Sequence, residues 1–342
     1  MIRVAINGFG RIGRIAFREM ITGTEFDIVA INDLSNAEEL SHLIKYDTIH
    51  RSFHEEEIDF EDDTIIISGK KRIKVFAESD PVKLPWKDLN IDLVLECTGA
   101  YTKLEGAKKH IEAGAKKVLI SAPGKGEMKT IVYGVNESIL DGTEEVVSSS
   151  SCTTNCLAPV LKIINDNFGI NKGFMTTVHA FTNDQVTLDI SHKKGIYARR
   201  GRAASQNIIP ASTGAATSIG SVIPELKGKM EGIAYRVPVP DGSLVDITLD
   251  LNKDTTATEI NETFKNNQSK ALKYTENPIV SSDVIGKRSG ALVDGLLTNV
   301  VEVDGKKMYK IVAWYDNELG YTAQMLRVAK AMFKNNWTKN VN

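Results

Sequence analysis

The fold is decided by one stretch at the start of the chain, Ile2-Arg3-Val4-Ala5-Ile6-Asn7-Gly8-Phe9-Gly10-Arg11-Ile12-Gly13. Its beginning is mostly apolar and predicts a buried strand from Ile2 to Ile6. After the glycines, apolar residues recur at the spacing of a helix, at Ile12, Ala16, Phe17 and Met20. A strand that passes through a glycine turn straight into a helix is the opening unit of a parallel α/β sheet.

The glycine turn has the G-x-G-x-x-G spacing of a phosphate-binding loop. Gly8 permits the tight turn, Gly10 lets a diphosphate approach the backbone, and Gly13 lets the helix pack closely on the strand. A second apolar strand ends at Asp33, twenty positions after Gly13, where an acid accepts hydrogen bonds from an adenosine ribose. The glycines alone would fit an ordinary turn, and the acid alone would fit a solvated loop. Together they predict a dinucleotide-binding site.

More α/β alternation follows in the first half of the chain. The pattern predicts a strand at Asp92 to Glu96, a helix around Lys108 to Ala113 and a strand at Lys117 to Ser121. This alternation implies a parallel sheet, and such a sheet holds its ligand at the carboxyl ends of its strands. Several residues fall at those ends, although each by itself is a common loop residue: Thr98, Gly99, Ser121 and Ala122.

Composition narrows the class of protein. The 342 residues suffice for roughly two domains, 42% of them are hydrophobic, and the formal net charge is −2. No general attraction to nucleic acid or to an anionic membrane is therefore expected. Three cysteines cannot form a disulfide framework. Since we also find no signal-peptide pattern and no apolar run of membrane-spanning length, the sequence predicts a cytoplasmic protein.

The second half changes to the alternating pattern of antiparallel strands. Val245 to Leu251 alternates strictly, and the strands Leu297 to Val303 and Met308 to Trp314 are joined across Asp304-Gly305, a strong hairpin signal. The sequence predicts an α/β fold with a Rossmann-type parallel sheet domain over residues 1–150 and an α+β domain with a mainly antiparallel sheet over residues 151–318. A final helix, residues 319–342, is expected to complete the first domain and to bury one face that carries Met325, Ala329, Met332 and Phe333.

A cysteine stands at the predicted start of a helix in the second domain. The run Ser148 to Ser151 supplies capping oxygens, Cys152 follows, and apolar residues then recur at helical spacing as far as Phe168. Unpaired N–H groups and the helix dipole stabilise a thiolate there, and His179, at the end of a predicted strand, could take the thiol proton. We interpret Cys152 as a nucleophile and the domain as catalytic. The alternatives are a small buried apolar residue and a satisfied strand-end histidine.

Positive charge collects in the same half of the chain. The long polar segment after His179 carries several arginines, among them Arg200, and long segments without secondary structure are usually functional. Ser212 to Ala216 is predicted to start another helix, whose hydroxyls and free N–H groups would suit a phosphate. Arg236 lies in an otherwise apolar strand and needs an anionic partner if it is buried. The alternatives are a solvated basic loop and a surface salt bridge.

These motifs together resemble phosphorylating glyceraldehyde-3-phosphate dehydrogenases, and the resemblance spans essentially the whole chain. Several matching motifs in the family order are far more specific than any one of them. The stretches that carry the resemblance are Ala5 to Arg14, Ser151 to Cys156, Thr176 to Ala180, Ser212 to Ala216 and Trp314 to Glu318.

The resemblance implies oxidation of glyceraldehyde 3-phosphate by NAD, with inorganic phosphate, to 1,3-bisphosphoglycerate. Cys152 would attack the aldehyde, His179 would take the hydroxyl proton, and phosphate would cleave the resulting thioester. By the same resemblance, Thr182 and Arg236 bind the substrate's own phosphate. The attacking phosphate would be held by Ser151, Thr153, Arg200, Thr213 and Gly214. NAD would be bound by Gly8, Gly10, Arg11, Ile12, Gly13, Asp33, Ser79, Thr98, Ser121 and, at the nicotinamide carboxamide, Asn317; no metal is implied.

Two residues depart from the family pattern. Ser79 stands where many members carry an arginine near the adenosine half of the cofactor, and Ser191 stands where a proline is common in strictly NAD-using bacterial members. A serine at that second position resembles enzymes that tolerate NADP, whereas Asp33 would repel a 2′-phosphate. NAD is therefore favoured, with NADP tolerance open. The loop Lys193 to Ala198 is long for the family, and loops like it line the subunit interface of the family's homotetramer.

Three other functions fit parts of the sequence. Erythrose-4-phosphate dehydrogenases share the fold, the cysteine and the histidine, but they usually depart from the Ser-Thr-Gly-Ala-Ala stretch and tend to lack the threonine three residues after the histidine. Thr213-Gly214 and Thr182 are both present here. A thiol hydrolase would use Cys152 and His179 but leave the dinucleotide motif without a role. A binding or adhesion protein that has lost catalysis would not retain every reacting group.

Overall fold

The computed structural model describes residues 1–333, and their contacts divide them into two compact units. Unit 1 comprises Met1–Ile131, Glu137–Ser150 and residues 325–333, and unit 2 comprises Val132–Asn136 and Ser151–Gln324. Residues 334–342, which include the end of the expected C-terminal helix, lie outside the described residues.

Among the described residues, unit 1 contains a nine-stranded sheet in the order β3-β4-β5-β2-β1-β6-β7-β9-β8. Its strands are β1 Ile2–Asn7, β2 Phe26–Asn32, β3 Ile58–Glu61, β4 Thr64–Ile67, β5 Lys71–Phe76, β6 Leu93–Glu96, β7 Lys117–Ile120, β8 Lys129–Thr130 and β9 Val146–Ser148. Its helices include α1 Arg11–Ile21, α2 Ala37–Lys45 and α3 Leu104–Glu112. The run β5-β2-β1-β6-β7-β9 is parallel and has the strand order of a Rossmann domain, as predicted, while the pairs β3–β4 and β4–β5 are antiparallel.

Two glycines of the opening stretch are required by geometry. Gly8 has a φ of +90°, in the region that side chains rarely adopt. A Cβ atom on Gly13 would lie 2.2 Å from the backbone oxygen of Gly8, so only glycine lets α1 begin this close to β1. A Cβ atom on Gly10, by contrast, would meet no atom within 4 Å. The turn is therefore tightly packed against the protein at Gly8 and Gly13 and open at Gly10.

Unit 2, all of whose residues are described, contains an eight-stranded sheet in the order β11-β12-β10-β13-β17-β15-β14, with β16 paired to β17. Its strands are β10 Ile170–Ala180, β11 Ile209–Ser212, β12 Met230–Val237, β13 Ser243–Leu251, β14 Leu272–Thr275, β15 Ala291–Asp294, β16 Asn299–Val303 and β17 Lys306–Tyr315. The pairs β10–β12 and β14–β15 are parallel and the other pairs are antiparallel, so the expected mainly antiparallel sheet is confirmed. The helices are α4 Cys152–Phe168, α5 Ala257–Asn266, α6 Ser281–Val284 and α7 Leu319–Ala331, whose last part belongs to unit 1.

Helix α4 carries the apolar stripe that its sequence predicts. The helix begins at Cys152 and ends at Phe168, and Pro159 lies inside it without interrupting it. Burying each large apolar side chain of the stripe stabilises the unit by roughly 1.5–3 kcal/mol. The fully buried members of the stripe in the core of unit 2 are Leu157, Val160, Leu161 and Ile164.

One predicted turn is confirmed, and one predicted helix is wrong. Asp304 and Gly305 have φ values of +51° and +72° and join β16 to β17, as the hairpin signal predicts. The helix expected from Ser212 is absent from unit 2, because Ser212 ends strand β11 and a turn then leads only to a short 3₁₀ helix, Thr217–Ser221. Gly220 inside this segment and Pro224 soon after it both disfavour a longer helix.

The C-terminal segment of the described chain carries the buried face that its spacing predicts. Lys330 pairs with Glu25 of unit 1, and Lys117 lies over the ring of Phe333, 5.6 Å from its centroid. The residues expected on the buried face are all buried, namely Met325, Ala329, Met332 and Phe333. No helix within residues 1–333 combines the length and the apolarity needed to cross a membrane.

Candidate active site

Unit 1 holds a cavity of about 390 Å³ at the carboxyl ends of its parallel strands. Five of the residues predicted to bind the cofactor line this cavity, namely Gly8, Gly10, Asp33, Ser79 and Thr98. The other lining residues are Asn7, Asn32, Leu34, Glu78, Pro81, Cys97, Ala100 and Tyr101. The structure therefore brings the glycine turn, the acid after β2 and the residues after β6 around one space.

The carboxylate of Asp33 is anchored to the glycine turn. It accepts hydrogen bonds from the N–H of Phe9 at 2.7 Å and from the N–H of Ser35 at 3.1 Å. Asp33 is half-buried at the wall of the cavity. These contacts argue against a solvated loop carboxylate, because the side chain has a fixed position from which it can accept further hydrogen bonds.

Arg11, Ile12 and Gly13 form the first turn of α1, and no side chain caps that helix at Gly10. The guanidinium of Arg11 pairs with Asp47 through both of its terminal nitrogens. Burial alone would raise the pKa of Asp47, but hydrogen bonds from Arg11 and from backbone N–H groups outweigh it and hold the pKa far below its ordinary value. Since its charge is already paired, Arg11 can serve an anion in the cavity chiefly through its backbone N–H.

Ser121 is not among the residues that line the cavity. It follows β7, its N–H donates to the backbone oxygen of Glu96 at 3.0 Å, and its side chain hydrogen-bonds Cys97. Burial raises the pKa of the Cys97 thiol to about 12. Ser121 therefore supports a residue of the cavity wall.

In unit 2, Cys152 Sγ lies 3.3 Å from His179 Nε2. Cys152 is the first residue of α4, and the hydroxyl of Ser151 caps the helix by accepting a hydrogen bond from the N–H of Thr154 at 3.1 Å. Ser150, just before the cap, has a φ of +61°, an uncommon conformation for a residue other than glycine. Of the predicted capping oxygens, the Ser151 hydroxyl therefore serves as the helix cap.

The imidazole of His179 is held in one tautomer. Its Nδ1–H donates to the backbone oxygen of Ala180 at 2.7 Å, so Nε2 carries the lone pair that faces the sulfur. The edge of the Tyr315 ring packs on His179 with the centroids 5.8 Å apart. These contacts fix the imidazole in an orientation that would allow Nε2 to accept the thiol proton.

Burial acts against charge on both members of the pair. Burial raises the pKa of the Cys152 thiol, and the positive charge of Arg236 and hydrogen bonds from Thr153 oppose that rise. Burial and, after it, the positive charge of Arg236 lower the pKa of His179 to about 3. A neutral thiol beside a neutral imidazole is therefore favoured, and the thiolate expected from the helix dipole has to form by proton transfer to Nε2.

Arg236 lies beside this pair because of strand register. In the parallel pairing of β10 with β12, His179 is the partner of Arg236. Nη1 of Arg236 donates to the backbone oxygen of Ala180 at 3.0 Å and to the hydroxyl of Thr182 at 3.2 Å. The same Nη1 lies 3.0 Å from Nδ1 of His179, but both atoms carry hydrogen in this tautomer, so this approach is not a hydrogen bond.

The charge of Arg236 has no carboxylate partner within residues 1–333, so the predicted alternative of a surface salt bridge does not describe it. Its Nε is buried and makes no hydrogen bond in that part of the chain. Burial lowers the pKa of the guanidinium more than the nearby Cys152 and Asp184 raise it, so a paired counter-ion would stabilise the cation. An anionic group of a substrate would supply that counter-ion.

Asp184 connects two of the predicted phosphate-binding residues. The hydroxyl of Thr182 donates to one of its oxygens, and Nη1 of Arg200 donates to the other. Burial would raise the pKa of Asp184, but Thr182, Arg200 and Arg236 lower it below its ordinary value. Arg200 therefore already pairs with a carboxylate, whereas Arg236 has no carboxylate within salt-bridge distance among residues 1–333.

The remaining predicted phosphate residues fall into two groups. Ser151 and Thr153 lie at the start of α4 with Cys152, and the hydroxyl of Thr153 lies 3.0 Å from that of Tyr315. Thr213 and Gly214 lie in the turn after β11, where the hydroxyl of Thr213 accepts a hydrogen bond from the N–H of Ala215. No hydrogen bond joins the two groups in the described chain.

Asn317, predicted at the nicotinamide carboxamide, is buried in unit 2. Its side-chain oxygen accepts a hydrogen bond from Ser243 at 2.7 Å, and Ser243 in turn accepts one from the N–H of Ala180 at 3.0 Å. This pair of contacts fixes the amide so that its NH₂ group remains the donor for a ligand.

Three residues of the site were not found from the sequence: Tyr315, Ser243 and Asp184. The hydroxyl of Tyr315 lies 2.9 Å from that of Thr177 as well as near Thr153, and it is fully enclosed. Tyr315 lies at one of the alternating positions of strand β17 that face the core, and a polar group at such a position was the signal available from the sequence. Ser243 and Asp184 gave no comparable signal, since serine and aspartate are common at strand starts and in loops.

The arrangement can form and cleave a bond to carbon. A thiol sulfur, an unprotonated imidazole nitrogen and a cation without a paired carboxylate converge in unit 2, and a cavity of about 390 Å³ lies in unit 1. Such a set suits the covalent capture of an electrophilic carbon in a substrate that carries an anionic group.

Comparison with known proteins gives matches over nearly all of the chain. The profile described as "Glyceraldehyde 3-phosphate dehydrogenase, NAD binding domain" matches residues 2–104, and the profile of the family's C-terminal domain matches residues 151–317. The chain is 54% identical to the glyceraldehyde-3-phosphate dehydrogenase of Clostridium pasteurianum, a match that covers 98% of this chain and 99% of the relative. It is 55% identical to that of Clostridium acetobutylicum (96% and 97%) and 48% identical to that of Streptococcus pyogenes (98% and 99%).

Proposed function

The chain belongs to the glyceraldehyde-3-phosphate dehydrogenase family, and from this premise we propose how its residues carry out the reaction. The enzyme is an NAD-dependent oxidoreductase of glycolysis that converts glyceraldehyde 3-phosphate and inorganic phosphate into 1,3-bisphosphoglycerate. Residues 1–150, completed by the C-terminal helix, serve as the NAD-binding domain, and residues 151–318 serve as the catalytic domain.

Cys152 and His179 carry the covalent chemistry. As Sγ bonds to the aldehyde carbon, Nε2 of His179 takes the thiol proton, since this nitrogen lies 3.3 Å from the sulfur and is unprotonated. Nε2 returns this proton to the former aldehyde oxygen, so that the carbon carries a hydroxyl and the ring is neutral again. Nε2 then accepts the hydroxyl proton as a hydride leaves the carbon for its acceptor, and a thioester remains on Cys152. Ala180 supports both steps, because its backbone oxygen holds Nδ1–H and stabilises the charge that appears on the ring.

NAD, when bound, supplies the acceptor for the hydride. The cavity of unit 1 fits this cofactor: Gly10 leaves room for a diphosphate against the backbone, and Asp33 offers a fixed carboxylate to a ribose. Gly8, Arg11, Ile12 and Gly13 shape the turn and present its N–H groups. Ser79 and Thr98 border the cavity, Ser121 acts through Cys97, and Asn317 offers its NH₂ group to the carboxamide.

The two phosphates are recognised by different residues. Arg236 and Thr182 bind the phosphate of the substrate, because Arg236 is a largely enclosed cation that pairs with no carboxylate in the described part of the chain. Inorganic phosphate is held by Ser151, Thr153, Arg200, Thr213 and Gly214, and it competes with Asp184 for the guanidinium of Arg200. The observation that carries the proposal is the 3.3 Å contact of Cys152 with His179 beside the unpaired Arg236.

The test is a steady-state assay of NADH formation. We expect turnover with glyceraldehyde 3-phosphate that depends on inorganic phosphate, and a higher kcat/KM for this aldehyde than for erythrose 4-phosphate. Activity that is independent of NAD would point to the thiol hydrolase instead. The same assay with NADP in place of NAD measures the tolerance that Ser191 suggests; Asp33 predicts a clear preference for NAD.

Self-association as a homotetramer and a cytoplasmic location complete the proposal. The segment after β10 exposes apolar side chains that water would disfavour on a monomer, which supports an interface between copies that includes the loop Lys193 to Ala198. The exposed residues are Leu188, Ile190, Ile196, Tyr197 and Ile208. Sedimentation at micromolar concentration tests the assembly. The free cysteines Cys97, Cys152 and Cys156 support a reducing compartment.

A further inference from the structure

A chain of hydrogen-bonded polar side chains, the polar ladder, crosses the carboxyl ends of three neighbouring strands in unit 1 at the wall of the cavity. Asn32 ends β2, Asn7 ends β1 and Glu96 ends β6, and parallel pairing places Asn7 opposite both of the others. Asn32 Nδ2 donates to Asn7 Oδ1 at 2.7 Å, and Asn7 Nδ2 donates to Glu96 Oε2 at 2.6 Å. All three side chains are buried at the ends of strands where apolar residues would pack more easily.

The carboxylate of Glu96 is enclosed by donors. Oε2 also accepts the Nε2–H of His110 at 3.1 Å, and Oε1 accepts the N–H of Thr98 at 2.8 Å and the hydroxyl of the same residue. The indole N–H of Trp86 donates to His110 Nδ1 at 3.0 Å, which fixes the histidine as a donor toward Glu96. Four hydrogen bonds thus end on the two carboxylate oxygens of Glu96.

Glu96 does not reach the cavity, since its side chain is 0% exposed. Its partners do: Thr98, Asn7 and Asn32 all line the cavity wall. Asn32 continues the ladder, because its Oδ1 accepts the N–H of Glu78 and its Nδ2 donates to the oxygen of Glu78, both at 2.9 Å. The ladder therefore spans the cavity from the residues after β6 to the loop at Glu78, and Glu96 anchors one end.

We propose that Glu96, held by His110, is a positioning residue for the adenosine half of the cofactor. This inference rests on the proposed NAD site. The buried carboxylate fixes Thr98 and Asn7 in the positions that the ligand meets by three hydrogen bonds, and a fourth, from His110, fixes the carboxylate itself. Glutamine at this position offers one acceptor oxygen and an NH₂ group, so two donors lose their acceptor and face another donor.

The experiment measures the dissociation constant of ADP-ribose by calorimetry on the purified enzyme, together with the KM for NAD and the KM for glyceraldehyde 3-phosphate. We expect Glu96→Gln to raise the dissociation constant of ADP-ribose and the KM for NAD by about tenfold or more. The KM for glyceraldehyde 3-phosphate should not change. The matched control is Asp92→Asn at the opposite end of β6, where the carboxylate accepts the N–H of Arg3 and pairs with Lys116. That control should bind ADP-ribose as the parent enzyme does.

A second pair of variants decides the question if Glu96→Gln does not fold. His110→Gln keeps a donor for Glu96 and an acceptor for the Trp86 N–H, whereas His110→Leu removes both. We expect His110→Leu to weaken ADP-ribose binding severalfold and His110→Gln to restore it. A role confined to general stability would instead raise the KM for NAD and the KM for glyceraldehyde 3-phosphate alike, or lower the melting temperature with no change in ADP-ribose binding. Either result overturns the proposal. If the parent enzyme itself fails to bind ADP-ribose, the proposed NAD site is wrong, and the role inferred for Glu96 is wrong with it.

Discussion

Unit 1 and unit 2 assemble their functional residues in different ways. The cavity of unit 1 begins with a contiguous motif, Gly8 to Gly13, whose effect is to shape the backbone. The site of unit 2 joins side chains from separate elements: Cys152 from α4, His179 from β10 and Arg236 from β12. The proposed cofactor motif is therefore local in sequence, whereas the proposed reacting groups come together only through the pairing of strands.

Strand register is what makes the second arrangement specific. His179 and Arg236 are direct partners across the β10–β12 pair. A slip of one residue would turn Arg236 to the opposite face of the sheet and leave the site without its cation. Substitutions in the site of unit 2 should therefore change the reaction by removing single side chains. Substitutions in the glycine turn of unit 1 should change cofactor binding by filling the space beside the backbone.

The largest effect is expected at the sulfur. Cys152→Ser should reduce NADH formation by about 10⁴-fold or more, because the hydroxyl is a far weaker nucleophile at the same position. ADP-ribose binding should not change, since that cavity belongs to unit 1. Steady-state turnover and calorimetry measure the two quantities, and turnover that persists would reject Cys152 as the nucleophile.

Cys156→Ser is the matched control, because the same change is made one helical turn further along α4. The sulfur of Cys156 is buried and lies 3.8 Å from the backbone oxygen of Ala313, so a hydroxyl there also finds an acceptor. This variant should keep its turnover. A loss equal to that of Cys152→Ser would mean that the helix, rather than the reacting sulfur, limits activity.

Removing the base should have the next largest effect. His179→Asn should slow turnover by about 10²- to 10⁴-fold, and the alkylation of Cys152 near neutral pH should slow as well. An alkylation rate that does not change would count against the pairing of sulfur and imidazole.

Stability gives an independent check on the same residue. Burial lowers the pKa of His179 from 6.5 to about 3, so below pH 6.5 the unfolded chain binds a proton that the folded chain does not. The stability of the parent enzyme should therefore fall as the pH drops from 6.5 toward 3, and His179→Asn should lack this contribution. Urea unfolding at several pH values measures the difference. Parallel curves for the two proteins would contradict a buried, neutral histidine.

Arg236→Leu tests the cation. Loss of its charge should raise the KM for glyceraldehyde 3-phosphate by roughly thirtyfold, and by less for unphosphorylated glyceraldehyde. Burial raises the pKa of Cys152 and Arg236 lowers it, so the variant should move the pH profile of Cys152 alkylation to higher pH. Arg202→Leu, an exposed arginine paired with Asp189, is the control and should change neither quantity. Equal effects on the two aldehydes would argue against phosphate recognition by Arg236.

The success of sequence-based prediction differs between local and long-range features of the two units. The Rossmann order of unit 1 and the mainly antiparallel sheet of unit 2 were predicted because periodicity and turn residues act locally. Gly13 and the Asp304-Gly305 hairpin were predicted for the reason that the structure then gives. The helix at Ser212 was wrong, because hydroxyl residues also suit the end of a strand and Gly220 limits the next helix to a short 3₁₀ segment.

Long-range pairing limits the prediction of the sites. The contact of Tyr315 with Thr177 and Thr153 joins residues far apart in sequence, and no local pattern reports such a contact. Long-range contacts also limited the prediction of charge. The helix start at Cys152 suggested a thiolate, but the surroundings that raise the pKa of its thiol come from other elements. Enclosed polar groups, such as Glu96, are recognised only once their partners are known.

The smallest effect, and the sharpest contrast within one motif, is expected from two glycine substitutions. Gly13→Ala places a Cβ atom 2.2 Å from the oxygen of Gly8, so we expect a loss of about 1–3 kcal/mol in the free energy of unfolding. Gly10→Ala meets no protein atom within 4 Å, so its melting temperature should equal that of the parent enzyme. Its methyl group points into space that the diphosphate would use, and ADP-ribose binding should weaken by about tenfold. Equal losses of stability in the two variants would contradict the open position of Gly10, and unchanged ADP-ribose binding in Gly10→Ala would remove the glycine turn from the cofactor site.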